Sequence, residues 1–497
     1  MVGCGPSSIT KNIYELQKPV LLQADTKFMK VHMKNGDLYV MSEWNFDNQN
    51  EQMNGKGKKY NANRKEINNI AAMHLIPFDE IALLETSDIV RGDGGQIASM
   101  SVLSLLNLLI TVPCLTDPKA CFGSCPTFYA YDGDKRSLMA EGFSSSIARI
   151  YEEQDIDMLY HTVNQKDTFE LEIRNEALET HMIRYCDLFV VPRLESERIF
   201  KTPEGQFYNT STIVEPISCI TKEGDILNNI KHFDKRERYS LADSSNLIEK
   251  EIIEITFPAV EGDLGLVIAS RQTLMTTFLL YQTMAYMGNS VGYWTAKLNG
   301  DLRVKNIGRS MFQHLGGIEI ICQDSNGKLK LIHEINEMGP IASDVQLIKL
   351  PSTKNQSIHI KLRMTKGLWR IDYLALAKID KETIPIRLKA EKLILHGSND
   401  DYKDILNDTS LYLKSLPGDR YTAKYIMPEE PGPYEYFINS KGYYLEWMRK
   451  EWIREEDPKK VIMAFKKPKR YLKEMAALFK KSEPYMESVF WNSKHIQ

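Results

Sequence analysis

Ile318-Glu319-Ile320-Ile321-Cys322, Leu329-Lys330-Leu331-Ile332-His333, Val345-Gln346-Leu347-Ile348-Lys349-Leu350, Ile358-His359-Ile360-Lys361-Leu362-Arg363-Met364 and Trp369-Arg370-Ile371-Asp372-Tyr373-Leu374-Ala375-Leu376 follow one another with short polar breaks. Each run is rich in β-branched or aromatic residues, and Asn326-Gly327 is a turn between the first two. Several short strands with turn signals at this spacing predict a β sandwich. Upstream, Phe169-Glu170-Leu171-Glu172-Ile173 alternates with period two, as a strand with one wet and one buried face does. Ile252 to Phe257 and Gly265 to Ala269 add further strands. The expected fold class is mainly β with some helices: several sandwich or jelly-roll units, a small N-terminal β domain and a C-terminal helical segment.

The chain has 497 residues, 43% of them hydrophobic and 26% charged, which is globular material with room for several cores. A formal net charge of -3 supplies no basic footprint for phosphates, so no nucleic-acid partner is expected. We divide the chain into a tether (1–17), a small β domain (18–90), an apolar segment (91–120), a β domain (121–258), a helix with a jelly-roll-like β domain (259–384) and a β/α C-terminal region (385–497). In the small β domain, Val31-His32-Met33, Asn35-Gly36 and Leu38-Tyr39-Val40 spell a hairpin. The polar stretch Asp47 to Lys59 reads as its loop.

Ile97 to Leu115 runs nineteen positions without a charge, enough for a helix to cross a hydrocarbon core. Asn107, three serines and Pro113 suit a buried helix equally well, and both readings stand. Met1-Val2-Gly3-Cys4-Gly5 resembles the end of a bacterial lipoprotein signal, with Cys4 as the lipidated residue, although the preceding apolar stretch is missing. An ordinary cysteine is the alternative. Partners expected on these grounds are membrane lipid, through Cys4 or residues 97–115, and an envelope protein.

Cys114, Cys121 and Cys125 crowd together, with six and then three intervening residues. No fourth ligand lies near, so no metal site is expected. A short disulfide between Cys121 and Cys125 fits an exported chain, one of them with Cys114 is a variant of it, and three packed thiols are the other reading. Cys186, Cys219 and Cys322 read as buried small hydrophobes.

Cys125-Pro126-Thr127-Phe128-Tyr129-Ala130-Tyr131-Asp132-Gly133, Ala140-Glu141-Gly142-Phe143 and Glu172-Ile173-Arg174-Asn175-Glu176-Ala177-Leu178-Glu179-Thr180-His181 resemble an uncharacterised family of bacterial cell-envelope proteins. The likeness covers roughly Cys121 to Trp452 and implies an exported or membrane-linked β protein, an outer-membrane lipoprotein facing periplasm or exterior. It implies no activity. The order of strand, Gly-containing turn and Trp-x-Ile-Asp strand at 318–378 is similar to galactose-binding-type jelly rolls. That likeness implies ligand or partner contacts at Trp369 and Asp372, with Trp369 as a stacking platform; a Trp packed into the core is the competing reading.

Glu176, Glu179 and His181 form either an acid-base set or a polar ladder on one strand face. Leu274, Met275, Phe278, Leu279 and Met284 recur at helical spacing and predict a buried helix capped by Gly288. Tyr444, Met448 and Trp452 predict another helix. Lys466 to Lys481 holds seven basic residues against Glu474, a helix for an anionic membrane surface or one that buries its apolar stripe on the adjoining sheet. GxSxG, HExxH and Walker A patterns are absent, and neither catalytic residues nor cofactors are expected. The function expected is a non-catalytic, membrane-anchored envelope scaffold or accessory subunit. A glycan-binding envelope protein and an exported hydrolase are the alternatives.

Overall fold

The computed structural model describes residues 7–14, 29–61, 66–67, 72–91, 125–164, 167–177, 179–291, 294, 310–323, 327–336, 339–351, 356–430, 432–446 and 455–492. Cys4, the run 97–115, Cys114 and Cys121 lie outside them. The fold is mainly β, built from antiparallel sheets with a few helices.

The N-terminal sheet holds β1 (Ser7–Tyr14), β2 (Met29–Met33), β3 (Leu38–Asp47), β4 (Gln52–Tyr60), β5 (Ala72–Pro77) and β6 (Ile81–Arg91), in the order β1-β6-β2-β3-β4-β5. The β2–β3 hairpin forms as expected, with Gly36 at φ 83°. The expected loop 47–59 is corrected: most of it is strand β4, paired along β3. Its Met53 is buried, and a side chain at Gly55 or Gly57 would strike the β3 backbone. Those glycines serve close strand approach, not a flexible loop.

A first sandwich begins with β7 (Thr127–Tyr131), β8 (Arg136–Glu141), β9 (Glu153–Met158), β10 (Thr168–Arg174) and β11 (Glu179–Pro192). The chain then builds a whole second sandwich. Its strands are β12 (Arg198–Lys201), β13 (Phe207–Val214), β14 (Ser218–Thr221), β15 (Gly224–Asp225), β16 (Arg238–Tyr239), β17 (Lys250–Phe257), β18 (Leu264–Gln272), β19 (Ile318–Gln323), β20 (Leu329–Ile335), β21 (Asp344–Lys349), β22 (Ile358–Thr365) and β23 (Trp369–Thr383). Only then is the first completed, by β24 (Ile386–Leu388), β25 (Lys392–Leu395), β26 (Leu413–Ser415), β27 (Arg420–Ile426) and β28 (Tyr434–Glu446). A boundary at 258/259 therefore falls inside the second sandwich, between β17 and β18 in its two opposed sheets.

The two sandwiches stack into four layers: β25-β27-β10-β7-β8, then β24-β11-β28-β9, then β12-β13-β23-β18-β21, then β15-β14-β17-β22-β19-β20. Phe128, Leu171, Leu188 and Ile438 fill the first interlayer core. Phe437, Phe207, Val267, Ala269, Ala375 and Ala377 fill the seam between sandwiches. Leu266, Ile268, Leu374, Leu376 and Trp369 lie in the core of the second sandwich. Strands β18 and β23 are thus apolar on both faces along 264–269 and 373–377, which explains why those stretches lack clean alternation.

Helices α1 (Met275–Met287), α2 (Pro458–Lys466) and α3 (Pro468–Asn492) join that last core, as does Ile230 from the one-turn helix Leu227–Ile230. The predicted helix before Gly288 is α1, and Gly288, at φ 53°, closes it by bonding to Ala285 and Met284 carbonyls. The basic segment forms most of the first half of α3, whose Tyr471, Leu472, Met475 and Phe479 are buried; Phe479 meets Phe278 at 5.3 Å between ring centroids. Of the helix expected from Tyr444, Met448 and Trp452, Tyr444 is corrected, since it is buried in β28 and paired with His181, while Met448 and Trp452 lie outside the described residues. Among the described residues no helix is long and apolar enough to cross a membrane.

At the seam Arg198 on β12 donates to both carboxylate oxygens of Glu435 on β28, from Nε at 2.8 Å and Nη2 at 3.0 Å. Ala375→Leu would force a larger side chain into this seam, and we expect a loss of about 2 kcal/mol. Urea denaturation of the purified chain checks it.

Candidate functional site: the seam cavities

Glu153-Gln154-Asp155-Ile156-Asp157 in β9 alternates acid with non-acid, so all three carboxylates project to one side of an edge strand. Across the seam stands β21, also an edge strand, with Asp344 and Gln346 on one side by the same alternation. Lys201 closes β12 beside it. Between them lies a cavity of about 440 Å³ lined by six carboxyl-bearing residues and a single basic side chain, Lys201. Glu153 and Glu204 are exposed at its mouth, and Asp157, Asp344, Lys201 and Glu141 are buried in its depth.

Some of these groups are satisfied. Asp155 accepts the Phe143 N–H at 2.8 Å, Asp344 accepts the Gln346 amide at 2.8 Å and the Lys201 ammonium at 3.5 Å. Glu141, at the end of β8, accepts the N–H groups of Ile341 and Ala342 at 2.6 and 3.2 Å, tying the first sandwich to the loop before β21. A side chain on Gly339 would overlap that carboxylate. Other oxygens have no hydrogen-bond partner among the described residues: Asp157 Oδ2, Asp344 Oδ1, Glu141 Oε1 and Gln346 Oε1. Burial raises the acids accordingly. Glu141 is pushed up to about 8, Asp155 to about 6 with Asp344 adding to it, and Asp157 well above the usual carboxylate range by burial and then by Asp155.

Two further cavities adjoin. One of about 630 Å³ shares Ser144, Ser145, Glu153 and Gly339 with the first and extends to Cys125, Tyr281 and Tyr444. The other, of about 340 Å³, holds Asp372, His161, Lys235 and Arg271. Burial lifts Asp372 to about 6, and its carboxylate accepts the Lys235 N–H at 3.0 Å. His161 is lowered by burial and then by Lys235.

The expected site residues separate. Trp369 is 1% exposed within the second core and offers no face to a sugar, which corrects the stacking platform expected there. Asp372 is the extra residue of a β-bulge, because Ala269 pairs with Tyr373 and Ser270 with Ile371. The bulge reverses the alternation and turns Asp372 out of the ladder, so the two residues do not form one contact surface. Cys125 is buried and bonded to no sulfur among the described residues, with Cys121 outside them. Burial, then Glu141 and Glu179, hold its thiol well above the usual range, which disfavours the thiolate form. Cys186, Cys219 and Cys322 are buried. Glu179 and His181 are fully buried neighbours at 2.7 Å, whereas Glu176 accepts the hydroxyls of Thr127 and Tyr129. The three do not converge on one point of chemistry.

The acids of β9 were missed by motif reading. Their signal is Glu-x-Asp-x-Asp in a strand, an alternation that puts like charges on one face without local counter-ions.

The sequence matches no protein-family profile and no curated protein. Among solved structures, a chain described as "Structure of infectious bursal disease virus Gt strain" aligns at 10% identity over 98% of this chain and 94% of that chain. Its TM-score is 0.14.

Glu141 binds a proton in the folded state between the ordinary carboxylate pKa and about 8, where the unfolded chain does not. Stability from this group is therefore present at low pH and lost as pH rises to about 8. We expect the urea midpoint of the wild type to fall between pH 5 and 8, and Glu141→Gln, which keeps an acceptor for Ile341 and Ala342, to flatten that slope. A slope unchanged in the variant would show that Glu141 is not its source.

Proposed function

We propose that the chain is a non-catalytic scaffold or accessory subunit of a cell-envelope assembly, a rigid body of stacked sandwiches that joins a neighbouring protein through its N-terminal sheet. The observation that carries this reading is strand β5. It ends its sheet, so one side of its backbone lacks a strand partner among the described residues, and its outward side chains Met73 and Leu75 are each 70% exposed. A solvated edge strand ordinarily carries charge or proline to discourage pairing. Here the neighbouring strand supplies Lys56 and Lys58; β5 carries His74 on its inner face and Pro77 at its end, but its outward face, Met73 and Leu75, has no charge. An added strand from a partner protein would satisfy the open edge and cover Met73 and Leu75.

The stack agrees with a rigid body, since charged contacts also join its layers, as Arg198 does to Glu435. The envelope location rests on the resemblance of residues 121–452 and on Cys4 and 97–115. Burial of Trp369 weighs against the glycan-binding alternative.

A pull-down from detergent-solubilised membranes, with mass analysis of the N-terminus, is the test. We expect a co-purifying protein that is lost on the double substitution Met73→Lys and Leu75→Lys, with the variant still folded by circular dichroism. Recovery of unlipidated wild type alone from the soluble fraction overturns the proposal, as does a partner retained by the double variant.

A further inference from the structure

We propose that the 440 Å³ cavity between β9, β12 and β21 is a binding site for a small organic polycation, a linear polyamine bearing several ammonium groups. This is independent of the scaffold reading.

The first support is the one-sided chemistry of the orphaned atoms. Asp157 Oδ2, Asp344 Oδ1, Glu141 Oε1 and Gln346 Oε1 are acceptors from three strands, all lining the same space. Asp157 is 7% exposed and Glu141 4%. An acceptor left unsatisfied at such depth costs the full desolvation of the group. A ligand that answers all four must be rich in donors, and an ammonium offers three donors with no acceptor.

Charge gives the second support. Six carboxyl-bearing residues meet one lysine, and Lys201 is already bonded to Asp344. The lysine shows how the site handles a cation: its ammonium sits buried beside Asp155, Asp157 and Asp344, and they keep it protonated against the cost of its own burial.

Size and arrangement select among cations. Among the described residues no three His, Cys, Asp or Glu side chains are grouped so as to hold a metal ion. The volume lies in the range of small-molecule sites and far exceeds a bare ion. Glu153 and Glu204 at the mouth and Asp157 in the depth spread the negative charge along a path, which suits ammonium groups spaced on a flexible chain. Because the cavity is walled by both sandwiches, an occupant would also clamp the seam, and by mass action would stabilise the stack.

Calorimetric titration and thermal melting of the full chain with spermidine test this, with calcium chloride and sodium chloride at matched ionic strength as separate arms. We expect saturable binding at about one spermidine per chain and a rise in Tm that neither salt reproduces. Asp157→Asn should weaken binding about tenfold or more, the loss of one buried charge contact. Glu204→Gln, a surface change that leaves the fold untouched, should weaken it several-fold. Binding should weaken as pH falls from 8 to 6, because the buried acids take up protons that the ligand must displace. Calcium binding more tightly than spermidine would make this a metal site and overturn the proposal. So would spermidine binding that both variants retain, or no saturable binding at pH 8.

Discussion

Alanines at 269, 375 and 377 allow one sandwich to lie directly on the other. They face the seam from β18 and β23, while the alternate residues Leu266, Ile268, Leu374 and Leu376 point into the second core. Two sheets pack at about 10 Å when their facing side chains interdigitate. The small residues leave room for Phe437 of the facing sheet, whose ring meets that of Phe207, on β13 of the alanines' own sheet, at 4.9 Å. Larger residues at these positions would part the layers and separate Arg198 from Glu435.

The seam is tight at its centre and loose at its margins. Along 264–269 and 373–377 the central strands are apolar, whereas polar side chains gather on the edge strands β9, β12 and β21 and at Arg271 and Asp372, where the cavities lie. That geometry explains why acids appear where they do. On the central strand β23 the one buried carboxylate, Asp372, sits at the bulge, where the ladder is interrupted and the Lys235 N–H bonds it. The loop from Gly339 to Ser343 runs along all three cavities, and Glu141 fixes it by two backbone N–H groups.

Much of the fold was legible in the sequence because hydrophobic period reports local geometry directly. The β2–β3 hairpin, the strands around 169 and 318–376, and α1 with its terminal Gly288 all formed where residue pattern placed them. Three things were not legible. Strand β4 carries Gly55 and Gly57, which look like loop residues until the backbone of β3 is seen above them. The bulge at Asp372 reverses inside and outside without any local mark. The insertion of one sandwich into another leaves no trace either, since the crossings at 192–198 and 383–386 resemble ordinary turns. Of the site, single residues were visible, but Asp157 and Asp344 meet only through pairing of sheets from different sandwiches.

The insertion also orders events in time. Strand β11 pairs with β28 along nearly its whole length, from Glu179↔Glu446 to Pro192↔Tyr434, and these partners are separated by roughly 250 residues of sequence. During synthesis at about 5–20 residues per second, β11 waits on the order of tens of seconds for its main neighbour. Its apolar residues Leu188, Val190 and Val191 lack their final cover for that interval. The nascent chain accordingly needs protection, by a chaperone or by early collapse onto β7 and β10, until the last part of the first sandwich leaves the ribosome.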